Sequence, residues 1–214
     1  MSKIRFRYRK TGKAKYISHL DLMSTMQRAI LRAGVKLKYS EGFNPHPYIS
    51  AALPLSVGCE SICELMDVEI TGDELPGGFD HLLPEGLSIS EAYLPIRKFS
   101  DIMWIEINCL LHYYTPSSEI NTGMLIDHFN KTGLMIEKKS KGKTAYIDVS
   151  PFIRDVTFNC GEIIEMTATT SAQNPTINRN DIANVLRCGD KNLIPDDIEL
   201  KRIEIYDKDM LLFR

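Results

Sequence analysis

Residues 2–34 read SKIRFRYRKTGKAKYISHLDLMSTMQRAILRAG. Ile4, Phe6 and Tyr8 alternate with Lys3, Arg5, Arg7 and Arg9. That period of two predicts a strand with one apolar face and one basic face. The run TGK at 11–13 ends it. Ser18 and Asp21 form an S-x-x-D signature whose hydroxyl and carboxylate can satisfy orphan helix amides. Leu22, Met23, Met26, Ala29, Ile30 and Ala33 follow at helical spacing, and Gly34 supplies a stop. A strand followed by a helix over 18–33 lying on a sheet is the expected opening unit.

Val35–Tyr39 reads as a short strand, and SEGFNPHP (40–47) as a loop stiffened by Pro45 and Pro47. Residues 48–54 and 57–71 read as strands, 73–86 as a loop with a short helix, and 87–96 as a strand. The order β-α-β-β-α-β then recurs. A strand at 102–113 precedes a helix at 117–132 and a hairpin at 133–149 around the basic run 138–143. An extended stretch at 152–171, a helix at 178–187 and a strand at 200–213 complete it. The expected fold class is therefore α+β, two ferredoxin-like units with antiparallel sheets, residues 1–97 and 98–214. The repeat is one of element order, with no residue-level self-similarity.

The chain has 214 residues, 43% hydrophobic and 25% charged, with a net charge of −2. This is ordinary for a globular protein and excludes long disorder or a collagen-like chain. No apolar run approaches the ~20 residues of a membrane span, and MSKIRFRYRK lacks the apolar core of a signal peptide. Five scattered cysteines point to free thiols and a cytoplasmic location. The even overall charge conceals an asymmetry. Residues 1–50 carry eleven Lys/Arg against Asp21 and Glu41, a net of +9, and the other 164 carry 15 against 26, a net of −11. A basic end on an acidic body points to an anionic partner at that end.

Three pieces are distinctive together: SHLDL (18–22), RAILRAG (28–34) and YSEGFNPHP (39–47). With them the first ~70 residues resemble the radical-SAM-linked protein family, whose members are encoded beside, or fused to, a radical SAM protein. The resemblance implies a cytoplasmic accessory to a radical SAM enzyme, acting near RNA. The chain does not itself carry the enzyme's C-x-x-x-C-x-x-C cluster motif: Cys59 and Cys63 have the first spacing, but Met66 stands at the third position. Cys59 and Cys63 are expected to be buried small hydrophobes, and no cofactor is expected.

Lys3, Arg5, Arg7 and Arg9 on the strand, with Arg28 and Arg32 at i,i+4 on the helix, form the candidate RNA- or anion-binding set. The alternative for the strand is a solvated face, or ion pairs with the acidic stripe Glu60, Glu64, Asp67 and Glu69. Ser18, His19, Asp21, Ser40, Glu41, Asn44 and His46 are expected to line one concave pocket, flanked by Arg7, Arg9 or Arg28. In it His19, Asp21 and His46 are the catalytic candidates, as an acid–base pair or as metal ligands joined by Asp21 or Glu41. Phosphate-cradling glycine loops and a Ser-His-Asp spacing are absent. The expected function is a non-catalytic RNA-binding or substrate-presenting partner of a radical SAM enzyme. The alternatives are an RNA-processing or RNA-modifying enzyme using His19, Asp21 and His46, and a module that docks protein alone.

Overall fold

A hydroxyl sets where the first helix begins. Ser18 Oγ accepts from the Asp21 amide (3.2 Å) and donates to the Asp21 carboxylate (2.6 Å), so helix α1 (His19–Arg32) starts on a closed cap. Its buried face is Leu22, Met26, Ala29 and Ile30. Gly34, at φ +81°, ends it: the Gly34 amide donates to Leu31 O and the Val35 amide to Ile30 O, the paired bonds of a Schellman stop. These features belong to a computed structural model that describes residues 2–72, 78–114, 122–140, 143–189 and 191–214. The protein is mixed α+β, with mostly antiparallel strands and three α-helices among the described residues.

The chain divides into two units, residues 1–101 with 213–214, and residues 102–212. The division thus falls between Asp101 and Ile102, where 97/98 was expected, and Phe213 and Arg214 belong with the first unit.

In the first unit, strand β1 (Ser2–Lys10) lies between β3 (Glu60–Ile70) and β4 (Leu87–Tyr93), antiparallel to both, and β2 (Ile49–Ala51) pairs antiparallel with β3. The strand order is thus fourth, first, third, second. Ile4, Phe6 and Tyr8 form one face of β1 and pack with Leu22, Met26, Ala29 and Ile30 of α1. Phe6 meets Phe79 edge to face, with ring centroids 5.5 Å apart. Two expectations change here. Val35–Tyr39 is not a strand of its own: Leu37 bridges Ile70 and Tyr39 bridges Pro47. The expected short helix in 73–86 is a 3-10 turn at Asp80–Leu82, and 73–77 lie outside the described residues.

The second unit shows the same order. Strand β5 (Trp104–His112) sits between β9 (Ile164–Ser171) and β10 (Asp197–Tyr206), and β8 (Ile153–Cys160) is paired to β9, all antiparallel. Ile105, Ile107, Cys109 and Leu111 alternate inward along β5. Helices α2 (Thr122–Phe129) and α3 (Arg179–Arg187) connect the strands, and β6 (Met135–Ser140) with β7 (Lys143–Asp148) forms a separate hairpin. The extended run 152–171 is two strands turned near Gly161, and the last strand ends at Tyr206, short of the expected 213. Of the expected helix 117–132, residues 117–121 lie outside the described residues, as do 141–142 of the hairpin turn.

Gly86 is demanded by its surroundings. Its φ is +90°, and a Cβ there would lie 2.3 Å from Thr11 O and 2.9 Å from Ala14 Cβ. Gly34 has a similar φ of +81° with nothing within 4 Å of its would-be Cβ. Gly34→Ala should therefore cost about 1–2 kcal/mol from the left-handed backbone alone. Gly86→Ala should cost at least about 3 kcal/mol, because overpacking against backbone adds to that strain. Urea unfolding of the two variants side by side checks this, and equal midpoints would contradict it.

Candidate nucleic-acid interface

The cations of β1 divide into two kinds. Lys3 and Arg9 are exposed, whereas Arg5 is 0% and Arg7 7% exposed. Arg5 stands directly opposite Asp67 on β3 and grips it twice, Nε to Oδ1 at 2.7 Å and one terminal nitrogen to Oδ2 at 3.0 Å. The same nitrogen donates to Arg97 O at 2.9 Å, and the guanidinium lies 4.3 Å from the Phe99 ring centroid and 5.4 Å from that of Phe213. The expected open row of guanidiniums is thus corrected: a bidentate pair under aromatic rings has no face left for phosphate. At Arg5 and Arg7 the second side of β1 is buried, and Asp67 of the acidic stripe is the counter-charge of Arg5. Lys10 is buried too, its ammonium donating to Ile17 O at 2.8 Å. Arg28 and Arg32 are exposed on α1, as are Lys13 and Lys36.

The expected single pocket resolves into two groups. Ser18 and Asp21 are joined in the helix cap, with half-buried His19 beside them. Ser40 and His46 are joined in the loop: the Ser40 amide donates to His46 O (2.8 Å) and the His46 amide to Ser40 Oγ (3.0 Å). Ladder register separates the groups. The loop springs from the level of Glu69, which faces Lys3, while Ser18 follows the turn beyond Lys10, which faces Ser61. Eight residues of β3 at ~3.3 Å each make that about 26 Å. Residues 37–38 and 48–51 lie along one edge of β3, so the loop leaves beside the last residues of β3 and not from the far end of a second strand. His19, Asp21 and His46 therefore do not meet. Among the described residues no three His, Cys, Asp or Glu side chains cluster as a metal ion would require. Cys59 and Cys63 are buried, at 1% and 0% exposure.

What the loop does build is a projecting aromatic edge. Its base is fixed on Glu69: the Lys38 amide donates to Glu69 O, the Glu69 amide donates to Tyr48 O, and the Lys38 ammonium meets the Glu69 carboxylate at 2.7 Å. The same ammonium lies 4.9 Å from the Tyr48 ring centroid. Gly42, at φ +119°, and Pro45 shape the tip, where Phe43 is fully exposed. Glu41, Asn44 and His46 are exposed beside it, and Tyr39 and Tyr48 are exposed at its base. Lys3, Pro47, Tyr48, Ser50 and Glu69 line a cleft of about 170 Å³ there. The loop's aromatic role escapes the motif reading; the available signal is that an aromatic among Gly, Asn and Pro has no core to join.

These features define an α+β protein of two antiparallel units, one of which carries a fastened aromatic loop beside exposed cations. A family described as "uncharacterized protein conserved in bacteria (DUF2344)" matches residues 3–185, and the chain belongs to that family. No curated protein matches the chain.

Two predictions follow from the pairs. The first concerns stability. Arg5→Ala should cost about 3–5 kcal/mol by stranding a buried Asp67. Arg5→Met with Asp67→Leu should cost far less, and Arg9→Ala within about 0.5 kcal/mol. Urea denaturation of the four proteins decides it; an Arg5→Ala midpoint equal to that of Arg9→Ala refutes the assignment. The second concerns pH. The hydrogen bond from Lys38, and secondarily its charge, holds the Glu69 carboxyl below its ordinary 4.5. The same bond raises Lys38 above 10.5. A lowered carboxyl stabilises above its unfolded value and loses that effect as pH falls through the folded one; a raised ammonium stabilises below its unfolded value and loses it as pH rises. The fastening is therefore complete between 4.5 and 10.5. Exchange protection of the Tyr48 amide should drop below that window in the native protein and not in Glu69→Gln. Identical pH profiles would show that the pair does not hold the loop.

Proposed function

We propose that the protein is a non-catalytic RNA-binding accessory, and that its RNA surface is the 39–48 loop with the cations around it. The observation that carries this reading is Phe43, fully exposed on a loop whose base is hydrogen-bonded on both sides. An apolar ring held in water by ordered backbone is suited to stacking on an unpaired base. Lys3, Lys36 and Arg32 lie at the same end of the sheet, and Arg28 is one helical turn from Arg32, so phosphates have cations to follow. The basic strand face is replaced as the binding surface; Arg5 and Arg7 are not part of it.

Both units read best as ferredoxin-like, since each has the strand order fourth, first, third, second, with a hairpin added in the second. The radical SAM partner and the cytoplasmic setting rest on the resemblance of the SHLDL, RAILRAG and YSEGFNPHP stretches. Within them Ser18, Leu22 and Ala29 have structural duties, and Phe43 faces outward. On this reading the protein presents RNA to that enzyme and performs no reaction itself. The enzymatic alternative through His19, Asp21 and His46 loses support, because the helix cap and the loop sit at opposite ends of the ladder.

Filter binding of a single-stranded RNA at several salt concentrations tests the proposal. Affinity should fall with a log–log slope of ~0.7 per phosphate contacted. Arg28→Ala with Arg32→Ala should reduce the slope by about 1.4 on that scale. Phe43→Ala should weaken binding at least about fivefold while leaving the slope unchanged. Binding that is absent, or indifferent to both variants, overturns it.

A further inference from the structure

The second unit holds a cavity of about 910 Å³ between helix α3 and the β6–β7 hairpin. Its frame is fixed by spent groups. The Lys138 ammonium reaches across from the hairpin to the Asp181 carboxylate (3.0 Å) and to Thr176 O (2.6 Å). Asp181 also accepts from the Asn178 amide (2.9 Å), and Asn178 Oδ1 accepts from the Asn180 and Asp181 amides, closing a capping box. Cys188 Sγ donates to Met135 O, tying the far end of the helix to the same hairpin. The charges of Lys138 and Asp181 answer one another, so these two residues brace the walls and add no net charge.

Besides the exposed carboxylate of Glu137 and the ring of Pro175, the lining that is left has three chemistries. Tyr146, an exposed ring on the hairpin, supplies an aromatic face. Asn180 and Asn184 lie one turn apart on α3 and supply amides that both donate and accept, as a base edge does. Arg187, exposed and three residues beyond Asn184, supplies a cation, with one terminal nitrogen 3.4 Å from Asn184 Oδ1. The volume lies within the ~300–1,000 Å³ of small-molecule sites. A planar polar ring that carries an anion satisfies all three at once.

We propose that this cavity binds a nucleotide, its base against Tyr146 and paired with Asn180 and Asn184, its phosphate on Arg187. The nucleotide is either free or an unstacked residue of an RNA strand. This does not depend on the loop of the first unit being an RNA surface.

The test is titration of the isotope-labelled full chain with AMP, GMP, CMP and UMP, and with a short oligoribonucleotide, followed by NMR. At least one mononucleotide should give saturable shifts confined to the hairpin and α3. Tyr146→Ala should weaken it about tenfold. Arg187→Gln should weaken the nucleotide and leave the matching nucleoside unchanged. Tyr146 and Arg187 are both exposed, and thermal unfolding confirms that the variants fold. If the source is a free nucleotide, the oligomer binds no tighter than the monomer; if it is RNA, the oligomer binds tighter and loses the same factor in Tyr146→Ala. Absence of saturable shifts with every probe, or shifts that neither variant alters, overturns the site. Phe43→Ala should leave mononucleotide binding untouched, so failure of the loop reading and failure of this one are told apart.

Discussion

A guanidinium with no exposure to water governs the first unit. Arg5 cannot leave its charge unanswered in an interior, because the desolvation cost of a lone buried ion is several kcal/mol. Asp67, directly opposite on β3, answers it with two hydrogen bonds, and Arg97 O takes a third. Those bonds fix more than a side chain. They hold the β1–β3 register at the centre of the sheet, and they draw the 97–99 segment and Phe213 over the strand. On the opposite face of β1, Ile4, Phe6 and Tyr8 bury against α1. A central strand covered on both sides is the frame from which the loop at 39–48 projects.

The sequence is legible where local chemistry decides the outcome. The S-x-x-D cap, the apolar spacing through Ile30 and the glycine after Ala33 each have one local solution, and α1 has the expected bounds to within a residue. It is not legible where a distant partner decides. Period two along β1 says that there are two faces, but not that both are covered; that depends on Asp67, 62 residues away. The acidic stripe on β3 contains the clue, since Arg5 and Asp67 need each other. Val35–Tyr39 and 48–54 look like two strands because each is extended, yet both lie along one edge of β3. Extended backbone is local, whereas pairing is not.

The candidate site divides in the same way. Ser18 with Asp21 is recognisable as a helix cap, and Ser40 and His46 as polar members of one loop; both pairs turn out to close local structure. Their separation follows from register, which no spacing in the sequence encodes. Phe43 was readable in principle, as an aromatic in a stretch that cannot pack it. In the second unit, the polar cavity depends on a hairpin meeting a helix forty residues later, and nothing short-range announces it.

The interruption of the β2 edge also bears on self-association. A bare strand edge offers a row of unspent amides and carbonyls on which another chain can build. Here β2 is only three residues long. The amides of Ser40, His46 and Tyr48 are already engaged within the chain, and Pro45 and Pro47 have none. The loop therefore leaves this margin with few unspent backbone groups on which a second chain could pair, whatever it binds.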